Sequence, residues 1–130
     1  MPTPEQVRSA VETYVASFNR NDREGWLAAF AEDAEHFDPV GTPPNVGREA
    51  IGAFWDRVRQ LSGEIEFTAR DVVVCGAEAA VPFTVSARGA DGGGMEFDGV
   101  DLFAVDDEGL IASLRAYWDP VGIRPLPPPS

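Results

Sequence analysis

The stretch Ala50-Ile51-Gly52-Ala53-Phe54-Trp55-Asp56-Arg57-Val58 and the stretch Glu64-Ile65-Glu66-Phe67 lie on either side of Ser62-Gly63 and have different periods. Apolar residues recur every three or four positions before Ser62-Gly63, as in an amphipathic helix. After it they recur at every second position, as in a half-buried strand. Because helical patterns precede this point and strand patterns follow it, the sequence predicts one α+β domain over residues 1–130.

Three helices are predicted before the change of period. The first begins with Thr3 as N-cap and Pro4 at the first helical position, and its apolar face includes Tyr14. Asn21-Asp22 can cap a short second helix, and Gly47 opens the third. Strands are predicted at about 64–74, 79–88, 95–105 and 110–118. The proline-rich tail, residues 124–130, is expected to extend beyond the core.

Composition and charge exclude several classes of function. The chain has 44% apolar and 25% charged residues, which is ordinary for a globular domain. Its net charge of −12 argues against binding to nucleic acid or to an anionic membrane surface. No signal-peptide pattern or membrane span is visible, so the cytoplasm is the expected location. Cys75 is the only cysteine and His36 the only histidine, so neither a disulfide nor a metal site is expected.

An acidic residue stands in unusual company at Phe37-Asp38-Pro39-Val40-Gly41. Proline has a fixed φ and pushes the preceding residue towards extended geometry, so Asp38 is predicted at the end of a short strand. A carboxylate between an aromatic residue and a proline is a poor choice for solubility alone. Asp38 is therefore the first candidate for a catalytic base.

A second unusual acid lies in the strand predicted at 95–105. Alternation puts Asp101 on the same face as Phe97, Phe103 and Val105. Burial without a counter-charge raises the pKa of a carboxyl group, and a neutral acid can donate a hydrogen bond. The alternative is an edge-strand aspartate whose face meets water. In the last predicted strand, alternation places Trp118 where it can end beside a pocket.

An ionised aspartate, a tyrosine hydroxyl and a protonated aspartate in an apolar pocket suit one kind of chemistry. The carboxylate can remove a proton from carbon next to a carbonyl, and two donors can stabilise the enolate oxygen. Returning the proton elsewhere on the conjugated system gives an allylic isomerisation that needs no metal or organic cofactor.

Several segments resemble bacterial steroid Δ5-isomerases, also called ketosteroid isomerases. The resemblance covers about residues 3–119, and its segments are Thr3-Pro-Glu, Tyr14, Phe30-Ala-Glu-Asp-Ala, Asp38-Pro-Val-Gly, Phe83-Thr-Val-Ser, Val100-Asp101-Leu-Phe and Ser113-Leu-Arg-Ala116. It implies the cone-shaped, nuclear-transport-factor-2-like fold, with three N-terminal helices on a strongly curved, mostly antiparallel sheet. It also implies a homodimer formed through the sheet.

By position, the resemblance implies a site for a small, apolar, steroid-like ketone. Asp38 would be the general base, and Tyr14 and protonated Asp101 would donate to the dienolate oxygen. Ketosteroid isomerases are a standard example of enzymes in which an apolar site keeps a carboxylic acid neutral. The residues expected to bind the substrate are Phe54, Trp55, Phe83, Phe103 and Trp118.

This chain departs from the family pattern at three positions. In the family, further tyrosines often form hydrogen bonds with the tyrosine that donates to the dienolate oxygen. In this chain, Phe30 and Trp55 stand at the positions of those tyrosines. Trp55 has an N–H to donate, but Phe30 has no polar group. Phe37 replaces an acidic neighbour of the base, which should make Asp38 easier to ionise. Rate and substrate therefore depend on these positions more than reaction type does.

Other functions stay open, because one fold hosts many activities. Polyketide cyclases, dehydratases and epoxide hydrolases share the architecture, and a carrier of apolar ligands is a non-catalytic alternative. A dehydratase is expected to use catalytic histidines; His36 lies two residues before Asp38 and could share its face, either as a structural residue or tuning the base. An epoxide hydrolase needs an arginine between paired acids, and Arg115 is out of phase with Trp118.

Overall fold

The chain folds as three helices packed on one curved sheet, and the computed structural model describes residues 1–129. The helices are α1 (Pro4–Asn19), α2 (Arg23–Ala28) and α3 (Gly47–Leu61). The strands are β1 (Phe30–Phe37), β2 (Asn45–Val46), β3 (Glu64–Ala69), β4 (Val73–Cys75), β5 (Glu78–Arg88), β6 (Gly94–Val105), β7 (Ile111–Tyr117) and β8 (Arg124–Leu126). The predicted α+β class is confirmed.

The sheet is mixed but mostly antiparallel. Its main order is β2-β1-β7-β6-β5-β3, with β4 paired to β5 and β8 paired to β6. Only β1 and β7 run parallel to each other within the described residues. Because β1 and β7 point the same way, the residues that follow them, Asp38 and Trp118, leave the sheet side by side.

The helices begin where the sequence predicts. Thr3 and Gln6 form a capping box at the start of α1, with Pro4 at its first position. Asp22 accepts a hydrogen bond from the N–H of Gly25 at the start of α2. The side chain of Asn19, at the end of α1, makes hydrogen bonds of 2.9 and 2.8 Å to the carbonyl and N–H of Phe67. This clamp fixes α1, and with it Tyr14, against the sheet.

The strand predicted at 64–74 is wrong as one element, because it is divided into β3 and β4. Both pieces pair with β5, and the break between them, residues 70–72, begins beside Pro82. Proline has no N–H to donate into the ladder, although its carbonyl still accepts from the N–H of Arg70 at 2.8 Å. The chain bends there, and Asp71 accepts a hydrogen bond from the N–H of Val72.

The tail is also more than an extension. Residues Arg124–Leu126 form β8, which pairs with the start of β6. Arg124 forms ion pairs with Glu96 at 2.9 Å and with Asp98 at 3.2 Å. The short 3-10 turn Pro120–Gly122 leads into this strand. The turn and β8 bring Ile123 back towards the cavity described below. Ser130 lies outside the described residues.

No helix within residues 1–129 has the length and apolar character needed to cross a membrane.

Candidate active site

A cavity of about 300 Å³ lies between the helices and the sheet, and most of its wall is apolar. The residues that border it are Tyr14, Phe18, Trp26, Asp38, Phe54, Val58, Leu61, Ser62, Ile65, Phe67, Phe83, Val85, Ala87, Met95, Phe97, Asp101, Trp118 and Ile123. Only two of these, Asp38 and Asp101, carry carboxyl groups, and none carries a positive charge. A neutral, largely hydrocarbon ligand with one polar end fits such a wall.

Asp38 lies where β1 ends and the chain turns. The Asp38–Pro39 peptide bond is cis, and the N–H of Val40 bonds to the carbonyl of Ala116 on β7 at 2.9 Å. The Asp38 side chain is 21% exposed. Burial raises the pKa of Asp38 to about 6, against a hydrogen bond from Trp118 that lowers it. A carboxyl group with a pKa near neutral can both take up and release a proton.

Trp118 holds this carboxylate from the sheet side. Its indole Nε1–H donates to Oδ1 of Asp38 at 2.8 Å. Its ring packs on Phe97 with centroids 4.9 Å apart, and Phe97 in turn meets Phe83 at 6.3 Å. Phe83 lies over Gly99, where a Cβ atom would come within 2.5 Å of the phenyl ring. The glycine on β6 therefore makes room for this aromatic wall.

Asp101 lies in the interior of the sheet, between β5 and β7. Its neighbours in register are Val81 and Ala116, and it is 2% exposed. Burial raises its pKa well above the usual range for an aspartate, and the charge of Asp38 acts in the same direction. Both causes favour the protonated acid, which is a hydrogen-bond donor into the cavity.

Tyr14 borders the same cavity from α1 and is fixed by aromatic rings on several sides. Its ring meets Phe103 edge-on at 5.1 Å and Phe67 edge-on at 5.7 Å. Burial raises the pKa of Tyr14 well above its usual value, followed by the charges of Asp101 and Asp38. The nearby indole of Trp26 lowers the same pKa, although its N–H meets no acceptor at hydrogen-bond geometry. Tyr14 therefore keeps its proton and stays a donor.

His36 lies behind Asp38 and outside the cavity wall. It is fully buried, and its Nε2 atom is 3.6 Å from Oδ2 of Asp38. Burial lowers the pKa of His36 to about 4, so the imidazole is neutral at pH 7. Sequence phase alone allowed this placement, and the structure brings His36 next to Asp38 and outside the cavity wall.

The structure brings most of the predicted site together and leaves two residues out. Asp38, Tyr14 and Asp101 border one cavity, as do Phe54, Phe83 and Trp118. Trp55 and Phe103 do not border it, and their contact with substrate stays a prediction from the sequence. Both are in the buried core, where Trp55 packs on Trp26 at 4.9 Å and Phe103 packs on Tyr14. They support the site from behind.

Sequence reasoning missed much of the apolar wall. Trp26 lies on α2 beside Tyr14 and is 1% exposed, and Phe18 lies one helical turn after Tyr14 on α1. The helical spacing of Phe18 from Tyr14 was visible in the sequence and gave the available signal. The contribution of Ile123 had no such signal, because it depends on how the tail returns to the sheet.

No group of three or more metal-binding side chains occurs among residues 1–129 in an arrangement that could hold an ion.

Known sequences provide a family and two relatives. The SnoaL-like domain family matches residues 11–114 of this chain. A steroid Delta-isomerase of Nocardioides simplex is 30% identical over 117 residues, which cover 88% of this chain and 91% of that protein. The epoxide hydrolase LasB of Streptomyces lasalocidi is 30% identical over 128 residues, which cover 91% of this chain. That match spans only 43% of the hydrolase.

Three of the solved structures with a similar shape are of mycobacterial proteins. RV0760c of Mycobacterium tuberculosis superposes with a TM-score of 0.86 at 26% identity, covering 96% of this chain and 99% of that one. The same protein has been solved with estradiol-17beta-hemisuccinate, with a TM-score of 0.83 at 26% identity and coverages of 92% and 98%. Delta 5-3-ketosteroid isomerase from Mycobacterium sp. gives a TM-score of 0.84 at 27% identity, with coverages of 92% and 98%. These likenesses show the nuclear-transport-factor-2-like fold.

Proposed function

We propose that this chain, which belongs to the SnoaL-like domain family, is a cofactor-independent isomerase that converts 3-oxo-Δ5-steroids to 3-oxo-Δ4-steroids. One observation carries the proposal. The apolar cavity has a carboxyl group with a pKa of about 6, and two further groups whose pKa values are raised so that they keep their protons. A base and two acids around hydrocarbon suit enolisation of a ketone.

The reaction moves one proton within the substrate. The carboxylate of Asp38 takes the proton from the carbon between the carbonyl and the double bond, and the electron pair left behind forms a dienolate. Tyr14 and protonated Asp101 donate hydrogen bonds to the dienolate oxygen, where the negative charge develops. Asp38 then returns the proton to the far carbon of the double bond. The product is the conjugated ketone, and the three side chains return to their starting states.

The name of the Nocardioides simplex relative supports the same reaction, since that protein is a steroid Delta-isomerase. The hydrolase relative supports a different activity on the same fold, and Asp38 and Asp101 supply the paired acids that it needs. Its expected arginine is missing from the site. Arg115 does not border the cavity; its guanidinium lies over the ring of Phe37 at 4.7 Å. Isomerisation therefore has the better support.

The activity is tested by mixing the protein with a 3-oxo-Δ5-steroid and following the absorbance of the conjugated enone. We expect turnover by the wild type, with kcat/KM falling about tenfold per pH unit below pH 6, because the base must be ionised. Asp38→Asn should lose most of the turnover and still bind a phenol that mimics the enolate. Asp33→Asn is the matched control, since Asp33 is exposed on the same strand.

Three other outcomes have distinct meanings. Wild-type turnover no higher than in buffer would overturn the isomerase proposal. Phenol binding without turnover would leave a carrier of apolar ligands, and hydrolysis of an epoxide without isomerisation would favour the hydrolase. The homodimer and the cytoplasmic location stay predictions from the sequence.

A further inference from the structure

A buried nitrogen without a partner faces the proposed base. His36 is fully buried, and its Nε2 atom makes no hydrogen bond within the described residues. The nearest acceptor is Oδ2 of Asp38, 3.6 Å away. This separation is longer than a hydrogen bond, and a buried polar atom left unpaired destabilises the folded state. Such an atom calls for a functional explanation.

Asn45 decides which nitrogen of His36 carries the proton. The two residues are paired in register between β1 and β2, and Nδ2 of Asn45 lies 3.1 Å from Nδ1 of His36. An amide that donates to Nδ1 leaves the ring proton on Nε2, pointing at Asp38. The opposite arrangement would aim a lone pair of the imidazole at the carboxylate, which is repulsive. The donating amide is therefore the arrangement compatible with an ionised base.

We propose that His36, held by Asn45, is a positioning residue that donates its Nε2–H to Oδ2 of Asp38 while Trp118 donates to Oδ1. The inference rests on the proposed function, in which Asp38 is the base. The Trp118 bond is already formed, at 2.8 Å. The His36 bond closes when the carboxylate is ionised, because hydrogen bonds to an ionised acceptor are shorter than those to a neutral one.

Asp38 is the ionisable group that faces His36, and the neighbours of His36 on the surrounding elements are apolar or neutral. Helix α3 presents Phe54, with ring centroids 4.6 Å apart, and α2 presents Trp26 at 6.2 Å. On the sheet, β7 presents Leu114 in register and β2 presents the neutral Asn45. An N–H donor in these apolar surroundings acts on a carboxylate more strongly than it would in water.

The proposed bond has a different strength at each stage of the reaction. It stabilises the carboxylate more than the protonated acid, since hydrogen bonds to ionised acceptors are about twice as strong. His36 therefore opposes the effect of burial on Asp38 and favours release of the proton back to the substrate. His36 does not border the cavity, so it acts through Asp38 and does not contact the ligand.

Replacing His36 by glutamine and by methionine separates the donor from the volume it fills. The two side chains have nearly the same shape, and only glutamine has an N–H near the position of Nε2. The measurement is the pKa of the Asp38 carboxyl, followed by carbon-13 NMR of labelled protein, together with the acid limb of kcat/KM. We expect His36→Met to raise that pKa by about one unit and His36→Gln to keep it within a few tenths of wild type.

Asn45→Leu gives a second arm, because it removes the amide that orients the ring. On its own it should raise the pKa of Asp38 relative to wild type. Combined with His36→Met, it should give the same pKa as His36→Met alone. Equal shifts in the glutamine and methionine variants, or no shift in either, would overturn the proposal. So would effects of Asn45→Leu that simply add to those of His36→Met.

Nitrogen-15 NMR of wild-type His36 needs no variant and keeps the proposal testable if the variants do not fold. We expect the proton on Nε2; a proton on Nδ1 would overturn the proposal. All of these pKa and tautomer measurements can be made without turnover. A protein that lacks isomerase activity but shows the Nε2 tautomer and the methionine-specific shift would contradict the proposed function and leave the hydrogen bond to Asp38 in place.

Discussion

The end of β1 and the middle of β6 each contribute one aspartate to the same cavity. The two regions differ in how far they bury the carboxyl group and in how they shift its pKa. Asp38 lies where a strand ends and 21% of its side chain reaches solvent. Asp101 lies between two neighbouring strands and is 2% exposed. Asp38 accepts an indole N–H from Trp118, which favours the ionised form. The pKa of Asp101 has no such opposing cause and is raised by burial and by the charge of Asp38.

The position of each aspartate in the sheet therefore favours a different protonation state for two identical side chains. A strand end can combine burial with a donor from the neighbouring strand, and the pKa stays near 6. The sheet interior surrounds the carboxyl with paired backbone and apolar side chains, so the neutral acid is favoured. The charge on Asp38 reinforces this difference, because two nearby carboxylates resist ionising together.

The largest expected effect comes from making the same substitution in both regions. Asp→Asn at position 38 removes the base, so kcat should fall by about 100- to 10,000-fold. Asp→Asn at position 101 keeps an N–H donor, so its loss should be much smaller. Asp101→Ala removes the donor and should lower kcat by about 100-fold or more. Steady-state kinetics of the three variants test the division, and a near-normal kcat for Asp101→Ala would place Asp101 outside the reaction.

Stability against pH separates the regions without any substrate. The pKa of Asp38 rises from 3.8 to about 6 on folding, so the native state holds more protons than the unfolded state in that range. Stability contributed by this group is therefore complete below about pH 4 and is lost as the pH rises towards 6. At 1.36 kcal/mol per pKa unit, the loss is at most about 3 kcal/mol, since part of the side chain reaches solvent.

Asp38→Asn should therefore stabilise the protein relative to wild type at pH 8, and much less at pH 4. Denaturant unfolding at both pH values measures the difference. Asp101→Asn should show the same sign, and its gain should continue to higher pH because the pKa of Asp101 is raised further. A gain in stability at pH 4 as large as that at pH 8 would mean that ionisation of these carboxyl groups does not destabilise the folded protein.

The smallest expected effect concerns Trp26, which packs on Tyr14, and Trp55, which packs on Trp26. Trp26 borders the cavity and its Nε1 has no hydrogen-bond partner within the described residues, whereas Trp55 lies in the core behind it. Trp26→Phe removes the indole that lowers the pKa of Tyr14, so it should weaken binding of an enolate-mimicking phenol by about 2- to 10-fold. Trp55→Phe should change that binding less than twofold. Calorimetric titration compares them, and a larger effect of Trp55→Phe would support the role predicted for it from the sequence.

Much of the fold could be predicted because its signals are local. The capping box at Thr3, the cap at Asp22 and the change of period after Gly63 each involve neighbouring residues, and the observed helices begin where they indicate. The predicted strand at 64–74 was wrong because its interruption depends on Pro82, which lies on another strand. Residues far apart in the sequence decided that boundary.

The candidate site divides in the same way. The candidate residues Asp38, Tyr14 and Asp101 could be named from the sequence, and simple alternation put Asp101 on an apolar face. The tertiary structure was needed to show that Trp118 donates to Asp38, that His36 lies next to Asp38 and outside the cavity wall, and that Trp55 and Phe103 lie behind the cavity. Periodicity in the sequence fixes only the face on which a side chain lies. The partner that it meets there is set by strand order and register, which join residues as distant in the sequence as Phe30 and Ile111.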